Sequence, residues 1–139
     1  MQKTIVSDTS CLILFSKIDR LELLKNLFSE ILITDIVAQE FNKPLPRWIK
    51  IQNPKSNLHL GLFNILDIGE ATAISLATDF KKSLIILDEQ KGRKIAKDLG
   101  LDVPGSLGMF LLAKQKGLIS SVKSVINQIL GTNFRFLSP

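Results

Sequence analysis

A chain of 139 residues, 45% hydrophobic and 22% charged, is long enough to bury a core and is expected to form a single domain over residues 1–139. Lys or Asp interrupts its apolar runs well short of the roughly 18 residues that cross a bilayer, and no apolar stretch follows a basic start, which argues against a membrane span and a secretory signal. The net charge of +5 suits a polyanionic partner, but a solvated lysine surface accounts for it equally.

The β-branched run Thr4-Ile5-Val6 predicts a strand over residues 3–7, followed by Asp8-Thr9-Ser10 and two short helices over 10–18 and 20–28. Cys11 is the sole cysteine, which excludes an internal disulfide and a cysteine-rich zinc site. Among Leu12, Ile13 and Leu14 it reads as a small core residue, and its usage fits a reducing cytoplasm. Ile31–Thr34 predicts a second strand, with Thr34 capping the helix "DIVAQEF". Residues 42–57 carry three prolines and the only tryptophan, Trp48, and read as a long loop. Residues 58–66 fit either a strand or a helix. "DIGEATAISLATDF" (67–80) predicts a helix with a capping box from Asp67 to Glu70. "SLIIL" (83–87) reads as a buried strand, 89–100 as a helix stopped by Gly100, and "LDVPG" as containing a short strand. Residues 106–117 and 120–131 predict two helices with Ser starts and Gly stops, and "FRFL" is a candidate closing strand.

Alternation of this kind predicts a parallel sheet covered by helices on both faces, with ligands bound beyond the carboxyl ends of the strands. Asp8 and Asp88 each follow a predicted strand directly, which places both at that edge. Glu40 shares a helical face with Ile36, Val37 and Phe41, and Glu70 shares one with Ala73, Ile74 and Ala77. Each acid also has a plain structural reading: Asp8 and Asp88 as helix caps, Glu40 as a solvated acid, Glu70 as the capping partner of Asp67. Gathering four carboxylates is costly, since two charges about 4 Å apart repel by roughly 4 kcal/mol at an effective dielectric of about 20. A divalent cation reverses that sign, and an oxygen-only ligand set favours Mg²⁺ or Mn²⁺. Glu89 beside Asp88, and Asp67 beside Glu70, are alternative ligands. The Ser10 hydroxyl could bond Asp8 or cap the helix.

The segments "IVSDTSCLILFSKI", "ITDIVAQEF", "LDIGEATAISLA", "LIILDEQKGRKIA" and "VPGSLGMFLLAKQKGLI" together resemble the PIN-domain nucleases, more narrowly their VapC-like branch. The resemblance implies an α/β fold, a three-layer α/β/α sandwich around a mainly parallel sheet of about five strands. It implies metal-dependent endoribonuclease activity, with Asp8, Glu40, Glu70 and Asp88 as the family's four acids in order. It further implies the toxin of a toxin–antitoxin pair, held by a small antitoxin and often dimeric. The family often has Asp-Ala where this chain has Glu70-Ala71.

Basic residues must grip phosphates flanking such a pocket. Arg93, Lys91 and Lys94 follow Asp88 closely, and Arg47 lies beside Trp48, which could stack on a base or anchor the loop. The sole histidine, His59, reads as structural, so metal-free acid–base cleavage lacks its histidine pair. A haloacid-dehalogenase-like phosphatase would need Asp where Ser10 stands, and no P-loop or dinucleotide fingerprint is present. The rival reading is a PIN-like fold kept for binding or assembly without catalysis.

Overall fold

The computed structural model describes residues 3–132. Four strands, β1 (Thr4–Ser7), β2 (Ile31–Ile33), β3 (Ile49–Ile51) and β4 (Ser83–Ile86), form one sheet in the order β3-β2-β1-β4. All three pairings are parallel, and Val6 lies in register with Leu32 on one side and Ile85 on the other. The described helices are α1 (Thr9–Lys17), α2 (Leu21–Phe28), α3 (Asp35–Phe41), α4 (Leu58–Leu62), α5 (Ile68–Thr78), α6 (Gln90–Asp98), α7 (Ser106–Gln115) and α8 (Val122–Leu130).

Alternation along the strands separates two cores, because successive side chains leave opposite faces of a sheet. Ile5, Ile31, Ile33 and Ile86 join Leu12 and Phe15 of α1, Leu24 of α2, Val37 of α3, Phe110 of α7 and Ile129 of α8. Val6, Leu32, Ile85 and Leu87 join Ile74 and Leu76 of α5 and Ala96 of α6. Both faces of the sheet are therefore apolar, and the expected α/β/α sandwich is what forms. Helix α5 is buried continuously from Ala71 to Ala77. Ala71, Thr72, Ala73, Ser75 and Ala77 keep it thin enough to touch β1, β4, α3, α4 and α6 at once.

Three expectations change. Residues 42–57 are not all loop: Ile49–Ile51 pairs with β2 as an edge strand. Only Ile49 of its three residues is buried, so no alternating pattern marks it, and the flanking prolines hide it further. The "LDVPG" segment makes one isolated bridge, Asp102 to Leu84, instead of a strand. The Ile85 and Leu87 amides donate to the carbonyls of Asp102 and Pro104 (2.9 and 3.1 Å), but Pro104 has no N–H to return. The sheet thus has four strands among the described residues, and "FRFL" lies outside them. The ambiguous 58–66 stretch yields the short α4. Trp48 packs half-buried on the first core, as an anchor.

Phe15 and Phe110 stack with ring centroids 4.9 Å apart, tying α1 to α7 in the first core. Phe110 is fully buried. Phe110→Ala is expected to cost about 3–5 kcal/mol, read as a lower urea midpoint with little change in slope.

Candidate active site

The chain runs from β1 outward to β2 and β3, then returns to β4 on the other side of β1. The carboxyl ends of β1 and β4 therefore flank the point where the strand order reverses, the usual ligand crevice of such sheets. Asp8 sits there, only 2% exposed, immediately after β1. Its Oδ1 accepts from the Cys11 amide at 3.0 Å, capping α1. The cap and the site position coincide. Ser10 lines the crevice beside Asp8, but among the described residues its hydroxyl makes no bond to Asp8.

Asp88 does not cap α6; Glu89 does, accepting from the Gly92 amide at 2.8 Å. Asp88 turns instead to the start of α7. Its Oδ1 accepts from the Ser106 amide at 2.7 Å and its Oδ2 from the Ser106 hydroxyl at 2.6 Å. The buried Cys11 thiol lies 3.5 Å from the same Oδ2, so the core residue also touches the site. Arg93 Nη1 donates to the Leu87 carbonyl at 3.0 Å, steadying the chain just before Asp88.

Glu40 departs from its apolar stripe. Val37 and Phe41 are buried, but Glu40 is exposed, its Oε1 accepting from the Thr9 hydroxyl at 2.5 Å. The expected capping box on α5 does not form, since Asp67 makes no side-chain cap bond. Glu70 is free of that role: it is half-buried, and its Oε2 is buried with no hydrogen-bond partner. The relative placing of α3 and α5 is set by Thr34. Its hydroxyl caps α3 through the Val37 amide (3.2 Å) and meets the Thr72 hydroxyl of α5 at 2.9 Å.

Asp8, Glu40, Asp67 and Glu70 line one open cavity of about 680 Å³, with Ile13, Phe63, Leu66 and Ile68 as its apolar side. Asp88 does not line it, but its charge is felt at Asp8. Burial pushes Asp8 from 3.8 up to about 7, against the Cys11 hydrogen bond, with Asp88 and Glu40 adding repulsion. Burial likewise raises Glu70 from 4.5 to about 8, helped by Asp8, Glu89 and Asp67. Helices α1, α3 and α6 each begin where a parallel strand ends, so their N-terminal dipoles favour anions at this edge.

Three glycines leave space for these carboxylates. A Cβ on Gly92 would lie 2.6 Å from Glu70 Oε2, and one on Gly105 would lie 2.6 Å from Asp88 Oδ1. One on Gly69 would collide with Glu40 Oε1. Among the described residues, no three Asp, Glu, His or Cys side chains are already drawn tightly enough to hold a metal ion. The donor set nonetheless fits a hard divalent cation: it is all oxygen, repulsive to itself, and includes the unpartnered Glu70 Oε2. Lys91 and Lys94 are exposed on α6, and Arg47 is exposed before β3. Thr9, Ser106 and the three glycines were not singled out in the sequence. Ser106 looks there like an ordinary helix cap, whereas Gly105 is the cap and the serine turns inward.

The PIN-domain family model DUF3368 matches residues 4–139. No curated protein matches the chain.

Between about pH 4 and 7 the unfolded chain has released the Asp8 proton and the folded chain retains it, so stability falls as pH rises through that window. In metal-free buffer at pH 8, Asp8→Asn is therefore expected to exceed wild type in stability by on the order of 2–4 kcal/mol. The gap narrows toward pH 4. Millimolar Mn²⁺ should raise the wild-type melting temperature at pH 8 and leave that of Asp8→Asn nearly unchanged, as followed by thermal denaturation.

Proposed function

The chain belongs to the PIN-domain family, a nuclease fold, and on that premise we propose that its acidic cavity hydrolyses RNA phosphodiester bonds with Mg²⁺ or Mn²⁺. The observation that carries this reading is the buried, unpartnered Oε2 of Glu70, a residue that lines the same open cavity as Asp8 and is repelled by its charge. A fold kept only for binding has no use for such a group, which costs stability wherever it is left unpaired.

Asp8, Glu40, Glu70 and Asp88 would hold the cation. When bound, it supplies a water acidic enough to give hydroxide near neutral pH and offsets charge on the phosphate. The protein's part is placement. The Cys11 amide fixes the Asp8 oxygen that caps α1. Thr9 holds Glu40 at the cavity wall, and Ser106 sets the plane of the Asp88 carboxylate from the far side. Asp67 and Glu89 add negative potential at Glu70, and either can stand in as a ligand. Arg93 is occupied with the Leu87 carbonyl and acts first as a brace, while Lys91, Lys94 and Arg47 are the exposed cations offered to phosphates. The apolar wall at Phe63 and Ile68 gives a base or ribose a dry surface.

The resemblance to the VapC-like branch supports a narrower role as a toxin acting on cytoplasmic RNA, paired with a small antitoxin and dimeric. Induced expression in bacterial cells should then arrest growth, and Asp8→Asn should not. The rival reading, a binding or assembly subunit, draws on the absence of a tightly gathered ligand trio among the described residues. The glycine seats weigh against it, since nothing in packing alone requires three carboxylates to abut three absent side chains.

Purified protein is expected to cleave single-stranded RNA in Mn²⁺ and to lose that activity in EDTA. Asp8→Asn and Glu70→Gln should each lower kcat/KM by at least about 100-fold. Ser106→Ala and Gly92→Ala, which change no charge, should lower it by about 10-fold or more. Cleavage that persists in both EDTA and Asp8→Asn would belong to a contaminant and sink the proposal.

A further inference from the structure

A second cavity opens at the opposite edge of the sheet. It has a volume of about 350 Å³ and is lined by Lys3, Lys81 and Lys82, with Phe80, Leu99 and Leu101 among its apolar residues. Lys3 leads into β1, and Lys81 and Lys82 lead into β4, so this is the amino edge of the strands whose carboxyl ends carry Asp8 and Asp88. Its one acid, Asp102, is paired with Lys3 at 2.6 Å. Among the described residues no ion pair engages Lys81 or Lys82, and both are exposed. The cavity therefore keeps an uncompensated positive charge.

Helix α6 connects the two cavities. It starts at the acidic end, where Gly92 abuts Glu70, and ends at Asp98, directly before Leu99, Gly100 and Leu101 of the basic cavity. Its nine residues span about 13.5 Å at 1.5 Å per residue. Lys91, Lys94 and Lys97 lie at three-residue spacing along it, and all three are exposed. No ion pair among the described residues engages them. Lysines thus continue from the acidic cavity to the basic one on the outer surface of the second core.

We propose that this lysine path is a docking track for the RNA backbone, and that the Lys81–Lys82 cavity holds a phosphate several nucleotides away from the scissile bond. The proposal rests on the nuclease reading and adds a substrate class to it: single-stranded RNA long enough to run the length of α6. The exposed cations of the path are lysines, since Arg93 of the same helix is engaged with the Leu87 carbonyl, and the exposed acids Glu89 and Asp98 stand only at the two ends of α6. Those are the properties of a surface that holds a phosphate chain through charge and is indifferent to sequence. Phe80 and the leucines provide a platform for a base beside the held phosphate.

The test is a salt titration of fluorescent dodecanucleotide binding in Mg²⁺, run beside cleavage of that RNA and of a dinucleotide in Mn²⁺. Lys81→Gln/Lys82→Gln is compared with Lys114→Gln/Lys116→Gln, an equal charge change at the end of α7. Each lost phosphate contact removes about 0.7 from the slope of log K against log salt for a single strand, so the first variant, which gives up the one held phosphate, should lose about 0.7. Its KM for the dodecanucleotide should rise about threefold or more with kcat held, and the rise should be absent for the dinucleotide. The α7 variant should match wild type. Normal cleavage with an unchanged slope and KM overturns the track and leaves the nuclease standing. A reduced slope in a protein that cleaves nothing keeps the track and overturns the nuclease. Failure to bind RNA, with a polyglutamate peptide bound through Lys81 and Lys82, assigns the cavity to an acidic protein and overturns the proposal.

Discussion

Mutual repulsion among carboxylates organises this molecule. Asp8, Glu40 and Glu70 line one cavity, and Asp88 is close enough to raise the cost of ionising Asp8. Left in water these groups would separate. Here the parallel sheet fixes two of them at strand ends, and helices packed on either face carry the others. The fold supplies the work of confinement through two apolar cores, and the site stores part of it as carboxyls that hold their protons near neutrality.

Confinement depends on small residues more than on large ones. The alanines of α5 bring that helix against β1 and β4, which carries Glu70 inward. The Thr34–Thr72 contact also joins the start of α3 to α5, the two helices that carry Glu40 and Glu70. At Asp88 the same logic uses Ser106, whose amide and hydroxyl hold both carboxylate oxygens. Bonds of this type, made to a charged acceptor inside the protein, are stronger than their neutral counterparts.

The sequence disclosed the parts that repeat a local rule. Buried strands betrayed themselves as β-branched runs, and the acids at their ends were legible because a parallel sheet puts every strand end on a common edge. Thr34 was readable as a cap because the helix it starts is local. Edge strand β3 was not, since one buried residue in three leaves no period to detect. The exposure of Glu40 is hidden for a related reason: sharing a helical face with Val37 and Phe41 says which way the Cα–Cβ bond leaves, but the long side chain reaches Thr9 at the cavity wall. The Asp67–Glu70 spacing matched a capping box that tertiary demand overrode, because Glu70 is drawn into the cavity instead. Ser106 and the glycines could not be found at all without coordinates, as their partners are remote in the chain.

Those glycines have a bearing on how the protein could change over time. A methyl group at 69, 92 or 105 falls first on a carboxylate oxygen, with Leu87 Cδ2 3.0 Å from the one at 92 and Arg93 Nη1 2.8 Å from the one at 105. Such a substitution would shift one acid while preserving its charge. A descendant released from its chemistry could therefore accumulate alanine or serine at these places while every acid remained in its sequence. Judged by its acids alone it would still pass for active, and the filled seats would be the earlier sign of retirement.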